Sequence, residues 1–262
     1  EDIRLTGLFR MVNICLGIIL KVVKLPKLRY FVYDGAFGNN MGVQAVIRHK
    51  LELISKLKKN SALYLEFDGK QKDKGANKKY GDKIDYENID KKYLIKTKID
   101  GNKQINIYQF KAFHKTINRL LNIVVVFALD TKSGKKDYKV LFSTDINLSA
   151  EKIVEYYSLR FQIEFNFRDA KQFFGLEDFM NIKKRRIHNF ANLSLFMNNI
   201  AYSISKDNNI ENNSINDLKF LFLAQKYIHE VLKLSPKNID DNFIANAISQ
   251  VADFSLINKK VA

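Results

Sequence analysis

Charged side chains recur at helical spacing in the segment YYSLRFQIEFNFRDAK, residues 156–171. At about 100° per residue, five polar side chains fall on one stripe roughly 80° wide, with phenylalanine and isoleucine on both sides. A carboxylate flanked by Arg and Lys suits a divalent metal ion together with phosphate, because the carboxylate can ligate the metal while the cations bind phosphate oxygens. The stripe consists of Tyr157, Arg160, Glu164, Arg168 and Lys171.

Two structural interpretations of the same stripe stay open. Arg160 and Glu164 are i,i+4 neighbours, so the stripe could be an ion-pair ladder that stabilises the helix by a few tenths of a kcal/mol. A plain solvated face fits less well, because Gln162, Asn166 and Asp169 already form a polar face elsewhere on the wheel. Charges enclosed by apolar flanks are costly unless they serve a site, and this favours the functional interpretation.

One glutamate is too few ligands for a hard divalent ion, so aspartates elsewhere must contribute. Asp34 ends the strand-like segment LRYFVYD, residues 28–34, at the point where open α/β sheets place their ligands. The alternative for Asp34 is a turn or N-cap role before Gly35. Asp145, in FSTD, is a rival ligand, and for this residue we favour a turn or N-cap role ahead of the next helix.

The elements around Asp34 follow an α/β pattern. Residues 3–24 are predicted to form a helix closed by Pro26, and the strand 28–34 follows it. DGAFGNN then forms a loop, and residues 41–57 begin as a helix and give way to a second strand near His49.

The middle of the chain changes character to strand-like runs separated by Gly, Asn, Asp and Lys, over about residues 61–142. Its lysine-rich part, residues 69–83, is interpreted as a mobile, solvated loop. Helical patterns follow at residues 149–174, 186–206 and 214–233.

The chain is strongly basic: 44 Lys+Arg against 28 Asp+Glu give a formal net charge of +16. Such an excess favours a polyanionic partner such as nucleic acid, although lysines that merely keep a protein soluble are the alternative. The single cysteine excludes a disulfide framework and a cysteine zinc site. The apolar run at residues 11–20 is too short to span a bilayer as a helix, so we predict no membrane partner.

The spacing Tyr157-x2-Arg160-x3-Glu164-x6-Lys171 resembles the signature of bacterial insertion-sequence transposases of the insertion-sequence-four family, which are DDE enzymes with an RNase H-like core. YFVYDGAFGNN is similar to that family's segment around the second catalytic Asp. The resemblance covers roughly residues 5–200.

This resemblance implies roles for the site residues. Asp34 and Glu164 would be catalytic, metal-binding acids, holding Mg²⁺ or Mn²⁺, with two ions expected in the intact enzyme. Tyr157, Arg160 and Lys171 would contact DNA phosphates, and the stripe adds Arg168 to these. The implied reaction is cut-and-paste transposition, in which metal-dependent phosphodiester hydrolysis is followed by strand transfer.

The family's first catalytic Asp belongs on the first core strand, and in this chain Asp2 lies only at the edge of a helix. We therefore expect the first strands to be missing and the chain not to cleave DNA by itself. A catalytically inactive DNA-binding remnant of a transposase is the alternative function. A third interpretation is an unrelated basic protein in which the stripe is an ion-pair ladder.

The expected fold is α/β, an RNase H-like mixed sheet with a β-rich insertion and C-terminal helices. The partners implied are double-stranded DNA, at transposon ends and at the target, and a second copy of the chain on DNA, in the cytoplasm at the nucleoid. The domain division has four parts: a partial core at 1–60, the insertion at 61–142, core completion with the catalytic-Glu helix at 143–206, and a helical region at 207–262.

Overall fold

The computed structural model describes residues 3–23, 28–210, 214–233 and 240–255. The helices in these residues are α1 (Gly7–Val22), α2 (Asn40–Ile47), α3 (Ala150–Ser158), α4 (Phe161–Phe174), α5 (Lys184–Asp207), α6 (Ile215–Lys233) and α7 (Asp241–Ser255). The strands are β1 (Tyr30–Val32), β2 (Glu52–Leu57), β3 (Leu63–Glu66), β4 (Tyr80–Lys83), β5 (Leu94–Asp100), β6 (Lys103–His114), β7 (Arg119–Asp130) and β8 (Lys136–Ser143). The chain divides into two compact units, Glu1–Arg160 and Phe161–Ala262.

All eight strands form one mixed sheet in the first unit, in the order β1-β2-β8-β7-β6-β3-β4, with β5 paired to β6. Only β1 and β2 are parallel, and α2 makes the crossover between them. The strands predicted as an insertion join this sheet through the antiparallel pairing of β2 with β8. The α/β class with a mixed sheet and helices is confirmed, and it is consistent with an RNase H-like core.

Helices cover both faces of the sheet, giving three layers. On one face, Leu16 of α1 and Val46 of α2 pack in a cluster with β2, β7 and β8. On the other face, Ile153 of α3 packs against Ile54 and Val124. Residues 121–125 of β7 are buried on both faces of the sheet, and their sequence is therefore a nearly continuous apolar run rather than an alternating pattern.

The prediction of one helix over residues 149–174 was wrong, because α3 ends at Ser158 and α4 begins at Phe161. The Ser158 hydroxyl donates to the Glu155 carbonyl at 2.6 Å, and the Leu159 N–H is shared between the carbonyls of Glu155 and Tyr156. Such side-chain competition and a tightened final turn are common where a helix ends. The helical wheel therefore cannot be carried from Tyr157 across to Glu164.

The remaining sequence predictions locate most elements to within a few residues. The lysine-rich segment differs from its prediction as a loop, because its end forms β4, which pairs with β3. Its earlier part is a loop closed by two hydrogen bonds between Gln71 and Lys78. The Gln71 amide donates to the Lys78 carbonyl at 2.8 Å and accepts from the Lys78 N–H at 2.7 Å. Pro26 and Asp2 lie outside the described residues.

The second unit is helical. Within it, α5 contacts both α4 and α6, and α6 contacts α7. Small side chains allow this close packing, including Ala170 of α4, Ala201 of α5 and Ala224 of α6, all of which are buried.

Candidate active site and nucleic-acid interface

Asp34 lies just beyond the carboxyl end of β1, as the sequence predicts for a ligand position. Its Oδ1 accepts a hydrogen bond from the Ala36 N–H at 2.9 Å and so caps a short 3-10 helix, Gly35–Phe37. Its backbone carbonyl accepts from the Ser55 hydroxyl of β2 at 2.5 Å. The side chain is exposed. The capping role that the sequence left open is therefore present, and a carboxylate with one such bond keeps lone pairs for another ligand.

The loop that carries Asp34 is held close to β2. A Cβ atom on Gly38 would overlap the Lys56 carbonyl oxygen, so only glycine allows this approach. Asn39 then starts α2 by accepting from the Gly42 N–H at 3.0 Å. Sequence and geometry together fix the position of Asp34 at the edge of the sheet.

Asp145 has a different environment, because it is buried and both of its carboxylate oxygens accept hydrogen bonds. Its Oδ2 accepts from Arg29 Nη2 at 2.7 Å and from the Tyr30 hydroxyl at 2.8 Å, and its Oδ1 accepts from the Asn147 N–H at 3.0 Å. Burial works to raise the pKa of this carboxyl, but the Asn147 and Tyr30 hydrogen bonds and the Arg29 charge together hold the pKa below its ordinary value.

Tyr30 is the donor in this cluster at all ordinary pH values. Burial, followed by the hydrogen bond to Asp145, raises the pKa of Tyr30 to about 12. The favoured turn role of Asp145 matches its bond to Asn147, whereas the helix N-cap is Ser149. No local pattern indicates the ion pair of Asp145 with Arg29, since the two residues are 116 positions apart.

The interruption at Ser158 divides the predicted stripe between the two units. Tyr157 and Arg160 belong to the first unit, where the Arg160 guanidinium carbon lies 6.0 Å from the centre of the Tyr157 ring. Glu164, Arg168 and Lys171 belong to α4 in the second unit. Asp34 and Glu164 thus belong to different units.

The premise that apolar walls enclose the stripe was wrong for α4. The apolar flanks Phe161, Ile163, Phe165 and Phe167 are themselves 42–47% exposed, whereas Ala170 is fully buried. Glu164, Arg168 and Lys171 are also exposed. Since the packed side of α4 is the one with Ala170, the charges and their apolar neighbours share an outward surface. Mixed surfaces of this kind are typical of interaction sites.

Both cations of α4 already bind carboxylates. Arg168 donates from Nε and Nη2 to Asp169 Oδ1, each at 3.0 Å, and its guanidinium lies 5.0 Å from the centre of the Phe165 ring. Lys171 Nζ lies 2.6 Å from Glu177 Oε1. Exposed pairs of this kind contribute about 0–1 kcal/mol, so a phosphate can replace the carboxylate at little cost.

Glu177 was missed by sequence reasoning, although it affects Lys171 directly. Its backbone has φ = 90°, a region that side-chain-bearing residues rarely adopt. Gly175, which directly follows α4, also has a positive φ, and helices commonly end with a glycine in this conformation. The sequence signal was therefore the glycine after α4, which predicts a reversal that brings the following acids back toward Lys171.

The oxygen donors of Asp34 and Glu164 are of the type that Mg²⁺ and Mn²⁺ bind. However, residues 3–23, 28–210, 214–233 and 240–255 contain no group of three or more His, Cys, Asp or Glu side chains that could hold a metal ion. Within those ranges, the acids do not by themselves fit a complete metal site.

Comparison with known proteins identifies one protein family. A sequence model of the family described as "Transposase DDE domain" matches residues 12–200, which include Asp34, Glu164 and Lys171. No curated protein matches the chain. Among the described residues, no helix is both long and apolar enough to cross a membrane.

Proposed function

The chain belongs to the transposase DDE domain family, and from that premise we propose that it is a transposase domain of an insertion sequence that binds double-stranded DNA through its basic surface. The match over residues 12–200 carries this proposal. Transposases act on DNA, and DDE domains generally use divalent metal ions. The net charge of +16 supports a DNA partner.

The insertion-sequence-four family is the proposed subfamily, because the Tyr157, Arg160, Glu164 and Lys171 spacing fits its signature. Within that proposal, Asp34 and Glu164 would bind Mg²⁺ or Mn²⁺. Support comes from the exposed carboxylate at the end of β1 and from the exposed position of Glu164 on α4.

The proposed DNA contacts are Tyr157, Arg160, Arg168 and Lys171. For Arg168 and Lys171 the support is an exposed surface in which each cation has an exchangeable carboxylate partner. Binding to DNA would exchange Asp169 and Glu177 for phosphate oxygens. Arginine can make two parallel bonds to phosphate, and lysine provides a point charge.

The alternative is a DNA-binding remnant of a transposase that lacks metal chemistry. It keeps the same phosphate contacts and differs only in the acids, of which the sequence supplies two at family positions. Nicking of supercoiled plasmid in Mg²⁺ or Mn²⁺ distinguishes the two functions.

The DNA part of the proposal is tested by measuring how binding to a random-sequence 40-base-pair duplex depends on salt. Fluorescence anisotropy of the labelled duplex reports the binding. The slope of log K against log salt is negative for DNA binding. Lys171→Gln should reduce its magnitude by about 0.9, the value for one phosphate contact. Lys233→Gln is the matched control, because Lys233 also pairs with a carboxylate, Glu230 at 2.7 Å, and both side chains are exposed on α6 of the same unit. Equal slopes for Lys171→Gln, Lys233→Gln and wild type would reject Lys171 as a phosphate contact.

A further inference from the structure

Three aromatic rings form a cluster on the sheet near its β4 edge, in the first unit. Tyr64 of β3 lies opposite Phe113 of β6 in the strand register, and Tyr80 of β4 lies opposite Glu66. The Tyr64 and Tyr80 ring centres are 5.7 Å apart, and those of Tyr80 and Phe113 are 5.6 Å apart, with edge-to-face geometry in both pairs. This cluster is a rigid platform at the end of the sheet.

The platform lies on the sheet face that α3 covers elsewhere. Phe113 and Ile107 are six residues apart in β6 and so point to the same face, and Ile107 packs in the cluster that contains Ile153 of α3. The main contacts of α3 are with β2, β6, β7 and β8. Over the aromatic cluster, at the His114 end of β6, lysines lie on the rings instead.

Two lysine ammonium groups lie over these rings. Lys115 Nζ is 4.3 Å from the centre of the Tyr64 ring and 5.6 Å from that of Tyr80. Lys79 Nζ is 4.6 Å from the centre of the Phe113 ring and 5.9 Å from that of Tyr80, and it donates to Asn118 Oδ1 at 3.1 Å. At exposed sites, cation–π contacts of this kind contribute about 0.5–1 kcal/mol each.

These two lysines differ from the cations of α4 in their partners. In the described part of the chain, neither Lys79 nor Lys115 forms an ion pair, whereas Lys171 pairs with Glu177 and Lys59 with Asp137. Rings attract a cation without neutralising its charge. Both ammonium groups therefore keep a full positive charge at an exposed position.

Further lysines extend the same patch. Lys111 is two residues before Phe113 and shares its face, and Lys83 lies opposite Tyr64. Glu66, opposite Tyr80, contributes a negative charge to this surface. The patch has a clear positive excess and spans several side chains, which suits a ligand with several regularly spaced anionic groups.

We propose that this lysine–aromatic surface (Tyr64, Tyr80, Phe113, Lys79 and Lys115) binds the phosphate backbone of double-stranded DNA, as a contact region additional to α4. The inference rests on the proposed function. The ring faces are occupied by ammonium groups, which disfavours base stacking and leaves the lysines to meet phosphates. The contact is independent of base sequence, and its strength depends on salt.

The test uses the full chain with the same 40-base-pair duplex and compares salt slopes. The double variant Lys79→Gln, Lys115→Gln should lower the slope by up to about 1.8, or 0.9 for each lost phosphate contact, and weaken binding in 0.1 M salt by roughly tenfold or more. The control Lys132→Gln, Lys135→Gln removes the same charge from the exposed β7–β8 turn and should leave the slope unchanged. The double variant Lys79→Arg, Lys115→Arg keeps both positive charges and should keep the wild-type slope.

Each outcome decides the inference. A slope lost in the Gln variant and kept in the turn control and in the Arg variant supports it. Wild-type slopes in the Lys79 and Lys115 variant, with Lys171→Gln still lowering the slope, overturn the inference and leave the proposed function standing. No binding by the wild-type chain overturns both. A fourth outcome also overturns the inference: the wild type binds phosphatidylserine vesicles, and Lys79→Gln, Lys115→Gln loses that binding while its DNA slope is unchanged. The surface would then serve a membrane.

Discussion

Replacing Asp145 with Asn tests whether Asp145 is a structural residue and Asp34 a functional one. Asp145 is only 7% exposed and joins Arg29, Tyr30 and the Asn147 backbone. Asn cannot carry the charge, and its single acceptor oxygen cannot replace both carboxylate oxygens. The Arg29 pair contributes at most about 1 kcal/mol because Arg29 is 62% exposed, and the bond from Tyr30 to a charged acceptor contributes about 1.5–3 kcal/mol.

Together these losses predict that Asp145→Asn lowers the free energy of unfolding by about 1.5–4 kcal/mol at pH 7. The unfolding midpoint should fall by roughly 3–16 °C for a unit of this size. Urea denaturation followed by far-UV circular dichroism measures the first quantity, and a thermal scan measures the second. Asp34→Asn should leave both unchanged, because Asn caps as well as Asp and the side chain is exposed.

The pH dependence of the Asp145 effect has a definite sign. Since the pKa of Asp145 is lowered in the folded protein, its contribution is complete above the unfolded value of about 3.9 and disappears as the pH falls through the folded pKa. The gap between wild type and Asp145→Asn should therefore narrow below about pH 4. A gap that is absent at pH 7, or a larger loss of stability in Asp34→Asn, would refute the assignment of these two acids.

Three further outcomes are expected. Glu177→Gln should strengthen binding to the 40-base-pair duplex a few-fold by releasing Lys171, whereas Glu230→Gln should not, and equal anisotropy curves for both variants would contradict this. Nicking of supercoiled plasmid in Mg²⁺ or Mn²⁺ should be lost in Glu164→Gln if Glu164 is a catalytic metal ligand, and nicking that persists in this variant would disprove that role. Gly38→Ala should destabilise the fold by about 1–3 kcal/mol, because its Cβ would overlap a β2 carbonyl oxygen, and an unchanged urea midpoint would argue against that close approach.

Sequence patterns predicted the elements well where the signal is local. The strand just before Asp34, the α2–β2 order and the long strands β6 and β7 all follow from apolar, β-branched and turn residues close in the chain. The pairing of β2 with β8 could not be predicted this way, because residues such as Ile54 and Ser143 meet across a long sequence separation. The hydrogen bonds of Asp145 with Arg29 and Tyr30 could not be predicted for the same reason, because these residues are also far apart in the sequence.

The candidate site was predicted less completely than the fold, for two physical reasons. A helical wheel assumes an uninterrupted helix, and the Ser158 hydroxyl bond to Glu155 accompanies the end of α3 before Arg160. Residue type also does not report exposure, so Phe161 and Phe165 were expected to wall the charges and instead lie on the surface with them. Spacing identified the residues, but the partners of each one required the three-dimensional structure.

The partners of the cations imply different roles for the two basic surfaces. On α4, DNA must displace Asp169 and Glu177, so each new bond to a phosphate is offset by a lost ion pair and by the repulsion of the released carboxylate. Over the Tyr64, Tyr80 and Phe113 rings, no carboxylate has to be displaced from Lys79 or Lys115, because the ammonium groups lie over ring faces rather than beside acids. For equal numbers of phosphates bound, the lysine–aromatic surface should therefore contribute more to sequence-independent affinity.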